Sequence, residues 1–248
     1  MDSQVDSRSW IPAQWPAPAH IRAGSTTRLG GVSQPPFDSL NLALHVDDDP
    51  QSVAINRQYL SDYLGLPNEP HWLTQVHGCD VSTDDVITKE ADACMTQTAG
   101  RVCVVMTADC LPVLITDKQG TCVAAVHAGW RGLEQQAILQ TIEKMPAKPQ
   151  DLLVWLGPAI GSEAFEVGEE VRDQFLKQDQ HFAEAFVASQ QEGKWLLDIY
   201  NIARQQLAGV NVDNVYGGDL CTYQDAQRFY SFRRDNVTGR MASLIWIS

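Results

Sequence analysis

Three short runs crowd the centre of the chain: VCVVM at 102–106, LPVLI at 111–115 and TCVAAVHAG at 121–129. Each is rich in β-branched and apolar residues and is bounded by Gly, Thr, Asp or Lys, the pattern of strands buried within a sheet. None approaches the roughly 20 apolar residues of a membrane helix, so no segment is expected to span a bilayer. DLLVWLG, RFYSFRR and MASLIWIS predict additional strands, and another is expected near Ile21 to Thr27. Helices are interspersed with these strands. Asp49 before Pro50 is a capping side chain followed by a proline at the first helical position, with Val53, Leu60 and Leu64 forming an apolar stripe. A second helix is predicted after Gly132, through Leu133, Ala137, Ile138, Ile142 and Met145, stopped by Pro146. Others fit Glu169 to Lys177 and Ile199 to Leu207, the last with Gly209 just past its end. Strands and helices mix without βαβ alternation, and GxGxxG and GxxxxGK[ST] phosphate loops are absent, which argues against the doubly wound nucleotide folds and for an α+β architecture.

The 248 residues, 44% of them hydrophobic, can bury a large core without staples. No repeat or linker-sized Pro/Gly stretch divides them, so one domain over 1–248 is expected, with residues 1–16 as an extended N-terminal arm. The stretch WIPAQWPAPAH should run extended, packed by Trp10 and Trp15. Eighteen Lys and Arg face 31 Asp and Glu, a net charge of −13 with no basic run, which argues against nucleic acid as a partner. Small anions need only two or three well-placed cations and stay open. The polar, acidic start lacks the basic and apolar regions of a secretory signal, so a cytoplasmic location is expected. Six scattered cysteines without a CxxC pair are then free thiols.

Three segments set a metal-ligand side chain beside a glycine or a strand end: TQVHG with His77, TADC with Cys110 and VHAGWRG with His127. They are too far apart in the chain for a zinc finger. Widely spaced ligands from separate strand ends are how catalytic zinc is held, with a fourth position left open. Alone, this spacing is a weak signal, and a cysteine between apolar runs is more often a small buried hydrophobe. Among the other histidines, His45 and His71 are candidates for substrate contact, while His20 and His181 read as surface residues. Arg28 before Gly30-Gly31 and Arg131 after His127 are candidate anion ligands, as are Arg233 and Arg234 at the end of RFYSFRRD. Asn41, Gln75 and Asp109 stand beside motif positions, and Asp109 could accept a proton or orient a ligand histidine.

The ordered motifs STTRLGGVSQPPFDSLNLALHV, WLTQVHG, VMTADCLPVLI, AAVHAGWRGL, LGPAIG, GGDLCTY and SFRRDNVTGRMASLIW closely resemble the bacterial purine nucleoside phosphorylase family. Its members have also been called laccase-domain or polyphenol oxidase proteins and peptidoglycan editing factors. The resemblance runs from about Pro18 to the C-terminus. It implies a single α+β domain with mixed sheets packed together and helices outside, and zinc held by His77, Cys110 and His127. It further implies phosphorolysis of adenosine, inosine, guanosine and methylthioadenosine to the free base and a ribose 1-phosphate, with adenosine deamination as a second activity. On that reading Cys110, His127, His77 and Asp109 carry the chemistry, and Arg28, Asn41, Gln75, Arg131 and Arg233 contact a purine nucleoside and phosphate. Three alternatives stand beside it. One is a cysteine-dependent amide hydrolase acting on peptidoglycan precursors, with Cys110 as nucleophile and His127 as base. The second is copper oxidation of phenols, since two His and one Cys also suit copper. The third is a binding module without turnover. Oligomeric state is not legible. Cys79 and Cys94 depart from the family pattern, and both are expected to add thiols near the site.

Overall fold

A computed structural model describes residues 5–248, so the first four residues of the expected N-terminal arm lie outside it. Along the chain the strands are β1 (Trp10–Pro12), β2 (Ile21–Thr26), β3 (Val81–Ser82), β4 (Ala93–Thr96), β5 (Cys103–Thr107), β6 (Leu111–Asp117) and β7 (Val123–Ala128), then β8 (Leu152–Leu156), β9 (Glu166–Gly168), β10 (Phe186–Ala188), β11 (Lys194–Leu197), β12 (Val215–Gly217) and β13 (Met241–Ile247). The helices are α1 (Pro50–Leu64), α2 (Trp130–Glu134), α3 (Ala137–Lys144), α4 (Glu169–Gln178), α5 (Ile199–Gly209) and α6 (Phe232–Asp235). A six-stranded mixed sheet has the order β12-β8-β6-β7-β4-β3, an antiparallel four-stranded sheet the order β1-β2-β13-β5, and a small third sheet the order β10-β11-β9.

The alternation of side chains along β6 and β7 sorts the core into layers. Leu111, Val113 and Ile115, with Ala124, Val126 and Ala128, face helices α2, α3 and α5 through Leu133, Ala137, Ile138, Ile202 and Ala203. Leu114, Val123 and Ala125 face the other way, onto Cys103 and Val105 of β5 and Ile245 and Ile247 of β13. The far side of the four-stranded sheet, with Val104, Leu244 and Trp246, packs on Leu40, Leu42 and on Leu60 of α1. Helices, sheet, sheet and helix stack in that order, which is the α+β arrangement of packed mixed sheets with outer helices that the family resemblance implies.

Local chemistry explains most boundaries. Asp49 accepts hydrogen bonds from the Gln51 and Ser52 amides at the start of α1, and Gly65 closes the helix in the left-handed region at φ 60°. The arm at 10–20 adds its first residues to β2 as an edge strand, and Ile11, Ala13 and Trp15 pack on the inter-sheet core. Two boundaries differ from expectation. The helix predicted after Gly132 starts earlier, at Trp130, and is broken into α2 and α3 where Gln136 takes φ 61°. RFYSFRR is no strand: Ser231 accepts from the Arg234 amide as a cap for α6, and the Arg234 guanidinium donates to the Thr222, Tyr223 and Phe229 carbonyls. A half-buried arginine spent on loop carbonyls fixes a turn where its neighbours alone would suggest a strand.

The β6–β7 hairpin, which carries the site, is closed at its far end by Asp117. Its carboxylate accepts from the Thr121 and Cys122 amides at 2.6 and 3.1 Å and from the Thr121 hydroxyl at 3.0 Å. Burial pushes this carboxyl up, but these donors outweigh it and hold it below the usual range. A carboxylate whose folded value is depressed stabilises the fold above its unfolded pKa and loses that contribution as pH falls. Asp117→Ala is therefore expected to cost about 1–2 kcal/mol at pH 7, with the difference from the parent shrinking below about pH 4. Urea denaturation at both pH values checks it.

Candidate metal centre and its cavity

The strand alternation that sends Leu114 and Ala125 into the inter-sheet core continues to Cys110 and His127, where the two sheets end. The chain crosses from β5 to β6 through Ala108-Asp109-Cys110, and Asp109 makes the sharp turn at φ 94°. Pro112 pairs with His127 across the hairpin, so Cys110 arrives just past that pair. His77 comes from the loop before β3, itself in the left-handed region at φ 61°. Its Nδ1 or Nε2, Cys110 Sγ and one nitrogen of His127 all lie within 4.8 Å of one another. The imidazoles meet edge to face, with centroids 4.8 Å apart. His127 is buried, Cys110 half-buried and His77 exposed, so the cluster opens outward.

Asp92, fully buried, organises this triad. Its carboxylate accepts from the backbone amides of Val76, His77 and Gly78 at 3.1, 3.0 and 2.7 Å, and its Oδ1 lies 2.7 Å from His127 Nδ1. The Asp92 carbonyl also accepts from the His127 amide at 2.7 Å. One side chain thus holds the strained His77 turn, aims the His127 ring and leaves His127 Nε2 for a metal. Burial pushes the Cys110 thiol up, but His127 and His77 more than reverse it, bringing it down to about 6. Burial pulls His127 down, while the Cys110 thiolate and Asp92 raise it to about 9. A thiolate and two oriented imidazoles, with a carboxylate behind one of them, are a donor set that fits zinc.

Gly129 leaves the thiolate its room. A Cβ built there would stand 2.7 Å from Cys110 Sγ, while its φ of −64° and ψ of 171° suit any residue. Gly129→Ala is expected to fold, because nothing in its backbone is strained, yet to displace the sulfur and lower metal affinity about 10–100-fold. Metal content after dialysis, compared with the thermal melt, checks this.

The triad floors a cavity of about 420 Å³, of a size suited to a small organic ligand. Its walls carry Arg131, Arg233 and Arg240, the rings of Trp130, Phe165 and Phe232, the apolar Ile160 and Ile199, and His45. Burial and the nearby Arg240 and Arg57 pull His45 down, keeping its ring neutral. Arg131 stacks over Trp130 and Arg233 over Phe165, at 4.5 and 5.2 Å. Gln75 lines the wall with its amide bound on both sides to the Met106 backbone, at 2.8 and 2.7 Å, clamping the His77 loop to the edge of β5. Asp109 is at the cavity too, but its two oxygens accept from the Thr222 hydroxyl and the Arg233 amide, both at 2.7 Å.

Other expected residues sit elsewhere. Arg28 is not in the wall: it donates to the Asp38 carbonyl, pairs with the Asp38 carboxylate at 3.3 Å and stacks on Tyr230. Asn41 is fully buried behind the wall, accepting from the Ala43 and Arg240 amides and donating to Asp48. Arg234 holds the loop described above. His71 bonds Ser82 and Thr88, His20 the Gly120 carbonyl, and His181 Asp179. Cys94 brings no thiol to the cavity, being buried in the inter-sheet core with its Sγ 3.0 Å from that of Cys103, and Cys79 packs against the helix-side core. All six cysteines are free. Asp92 and Arg240 are the functional candidates the sequence reading missed. Asp92 lies outside every motif named above, and Arg240, though within SFRRDNVTGRMASLIW, is not among the arginines whose neighbours mark them as anion ligands.

Residues 22–248 match the family model described as multi-copper polyphenol oxidoreductase laccase. The chain is 52% identical over 240 residues to a Shigella flexneri protein named purine nucleoside phosphorylase YfiH, covering 96% of this chain and 98% of that one. It is 50% identical, with the same coverage, to purine nucleoside phosphorylase PA4543 of Pseudomonas aeruginosa. The crystal structure of Neisseria meningitidis protein NMB0706 superposes with a TM-score of 0.92 at 45% identity, over 97% of this chain and 99% of that one. That of YlmD from Geobacillus stearothermophilus gives 0.85 at 30%, over 98% of each. With motifs, fold and relatives agreeing along nearly its whole length, the chain belongs to the laccase-like YfiH family.

Proposed function

We propose that this protein is a zinc-dependent purine nucleoside phosphorylase that also deaminates adenosine and accepts methylthioadenosine. The observation that carries the reading is the convergence of His77, Cys110 and His127 on the floor of a cavity whose walls are aromatic and cationic. The names of the relatives support the same activity. His77, Cys110 and His127 would hold the metal, and zinc supplies Lewis-acid chemistry at its open fourth position when bound. In phosphorolysis a phosphate oxygen forms a bond to the sugar carbon as the carbon–nitrogen bond to the base breaks. The electron pair leaves with the purine, which takes up a proton. Trp130, Phe165 and Phe232 offer flat faces for the base, and Arg131 and Arg233 offer charge for the anion. Gln75 and Asp109 serve by position, the first by fixing the His77 loop, the second by binding the Arg233 amide.

Copper is disfavoured as the working metal, because a multicopper set needs more imidazoles than the cluster's two, and His20, His71 and His181 are bonded elsewhere. The low Cys110 thiol beside His127 favours a second reading, amide hydrolysis with Cys110 as nucleophile. The two are separated by incubating zinc-loaded and chelated protein with adenosine, with and without phosphate, and separating the products. Phosphate-dependent adenine, or inosine, from the zinc-loaded protein alone is expected. No nucleoside turnover from folded, zinc-loaded protein would overturn the reading, and muropeptide cleavage by the chelated protein would establish the second.

A further inference from the structure

Two polar groups in the cavity wall keep hydrogen-bonding capacity that the protein itself does not use. Arg240 is half-buried, whereas Arg131 and Arg233 are exposed. It forms no ion pair among the described residues: one nitrogen, Nη1, donates to the Thr238 and Gly239 carbonyls at 2.8 and 3.0 Å, and burial works against its charge. Cys110 and Asp109 oppose that cost from nearby, but neither pairs with the guanidinium, so its free donors stay available to an anion in the cavity. The second group is the Thr107 hydroxyl, which is buried, lines the same cavity and has no hydrogen-bond partner. Both line the same cavity, where the four-stranded sheet ends with Thr107 of β5 paired to Met241, the residue after Arg240.

From this juxtaposition we infer that Arg240 and Thr107 form the oxyanion subsite that takes inorganic phosphate, at the ends of β5 and β13 beside the metal triad. The inference rests on the phosphorylase reading and goes beyond it in placing the second substrate. The subsite is built from below. Asn41 Oδ1 accepts from the Arg240 amide at 3.0 Å and from the Ala43 amide at 3.1 Å, and the two carbonyls on Nη1 fix one edge of the guanidinium. The remaining guanidinium donors and the threonine hydroxyl together supply the fork and single donor that a tetrahedral oxyanion accepts. Arg131 and Arg233, exposed and stacked on Trp130 and Phe165, add charge that draws the anion into the cavity without forming the subsite.

Two zinc-loaded variants, Arg240→Gln and Thr107→Val, test it. Titration with inorganic phosphate by calorimetry, without nucleoside, is expected to show binding weakened about 100-fold by the first and about tenfold by the second. In turnover the phosphate KM is expected to rise by similar factors, with the nucleoside KM within about twofold and metal content equal to the parent's. Because the Thr107 hydroxyl is unpartnered, Thr107→Val should melt at or above the parent's temperature, so a merely structural role would not reproduce this pattern. Arg240→Lys should recover part of the phosphate affinity, since charge returns without the fork. Unchanged phosphate binding in both variants overturns the subsite, as does an equal rise in both KM values. Failure of the parent to release base with phosphate overturns the phosphorylase reading instead, and the calorimetric titration then still decides the subsite.

Discussion

Replacing Asp92 with alanine is expected to empty the metal centre and weaken the fold together. Four hydrogen bonds converge on this one carboxylate, three from the amides that shape the His77 turn and one from the His127 ring. Without it, His127 loses the acceptor that sets its tautomer, and the backbone at His77 loses what holds it at φ 61°. Metal affinity is expected to fall at least 100-fold, and stability by about 2–4 kcal/mol, since partly buried amides are left unpaired. Asp92→Asn separates the two effects. An amide oxygen still accepts from the turn, so most stability should return, while the weaker acceptor toward His127 keeps affinity below the parent's. Chelator competition and urea denaturation of both variants check this. Equal metal affinity in Asp92→Ala and the parent would show that the ligands are held by their strands alone.

Cys110→Ala is expected to abolish metal retention and nucleoside turnover while leaving the melt within a few degrees of the metal-free parent. Among the described residues the Cys110 sulfur is the only thiol in the triad, while Cys94 and Cys103 face each other inside the core and Cys79 packs against the helix side. Its environment lowers the thiol to about 6, so at neutral pH the group to be replaced is a thiolate. Removing it also removes a buried negative charge beside His127, which relieves the fold of a charged pair. Cys110→Ser should behave nearly as alanine does, since a hydroxyl does not ionise at this pH and is a poor ligand for a thiophilic metal. Metal analysis and the adenosine assay on the same preparations check the expectation, and full activity in either variant would remove Cys110 from the site.

The residues that were legible in the sequence are those whose role is declared by neighbours in the chain. Asp49 and Pro50 announce α1 because capping is local. Val104, Leu114 and Ala125 announce buried strands because alternation is local. His77, Cys110 and His127 stand beside glycines and strand ends, and the third dimension brings them together as the motifs suggested. What was not legible depends on partners distant in the chain. Asp92 meets Val76 and His127 across a loop and a strand pairing, with no spacing to mark it. Arg28 and Arg240 exchange roles for the same reason. Arg28, in a glycine-rich turn, finds Asp38 and Tyr230 and becomes a brace. Arg240, late in the SFRRDNVTGRMASLIW motif, arrives at the cavity because β13 begins at the next residue. Asn41 was noticed for its position, and its partners show it supporting Arg240 from behind. RFYSFRR misled because its three aromatic residues favour a strand, while Ser231 and Arg234 spend their hydrogen bonds on a turn.

The crossing at Ala108-Asp109-Cys110 gives the His77, Cys110 and His127 cluster a dependence on residues that never approach it. His77 is tethered through Gln75 to Met106 of the four-stranded sheet, whereas His127 belongs to the six-stranded one. The gap between those residues, bridged by the Asp92 carboxylate that bonds both, therefore also depends on the thickness of the filling between the layers, the side chains of Leu114, Val105, Ala125 and Ile245. Trimming or enlarging any of them is expected to change the bite of the triad as a shim changes the gap of a vice, so activity can drift through the hydrophobic interior while His77, Cys110 and His127 all stay the same.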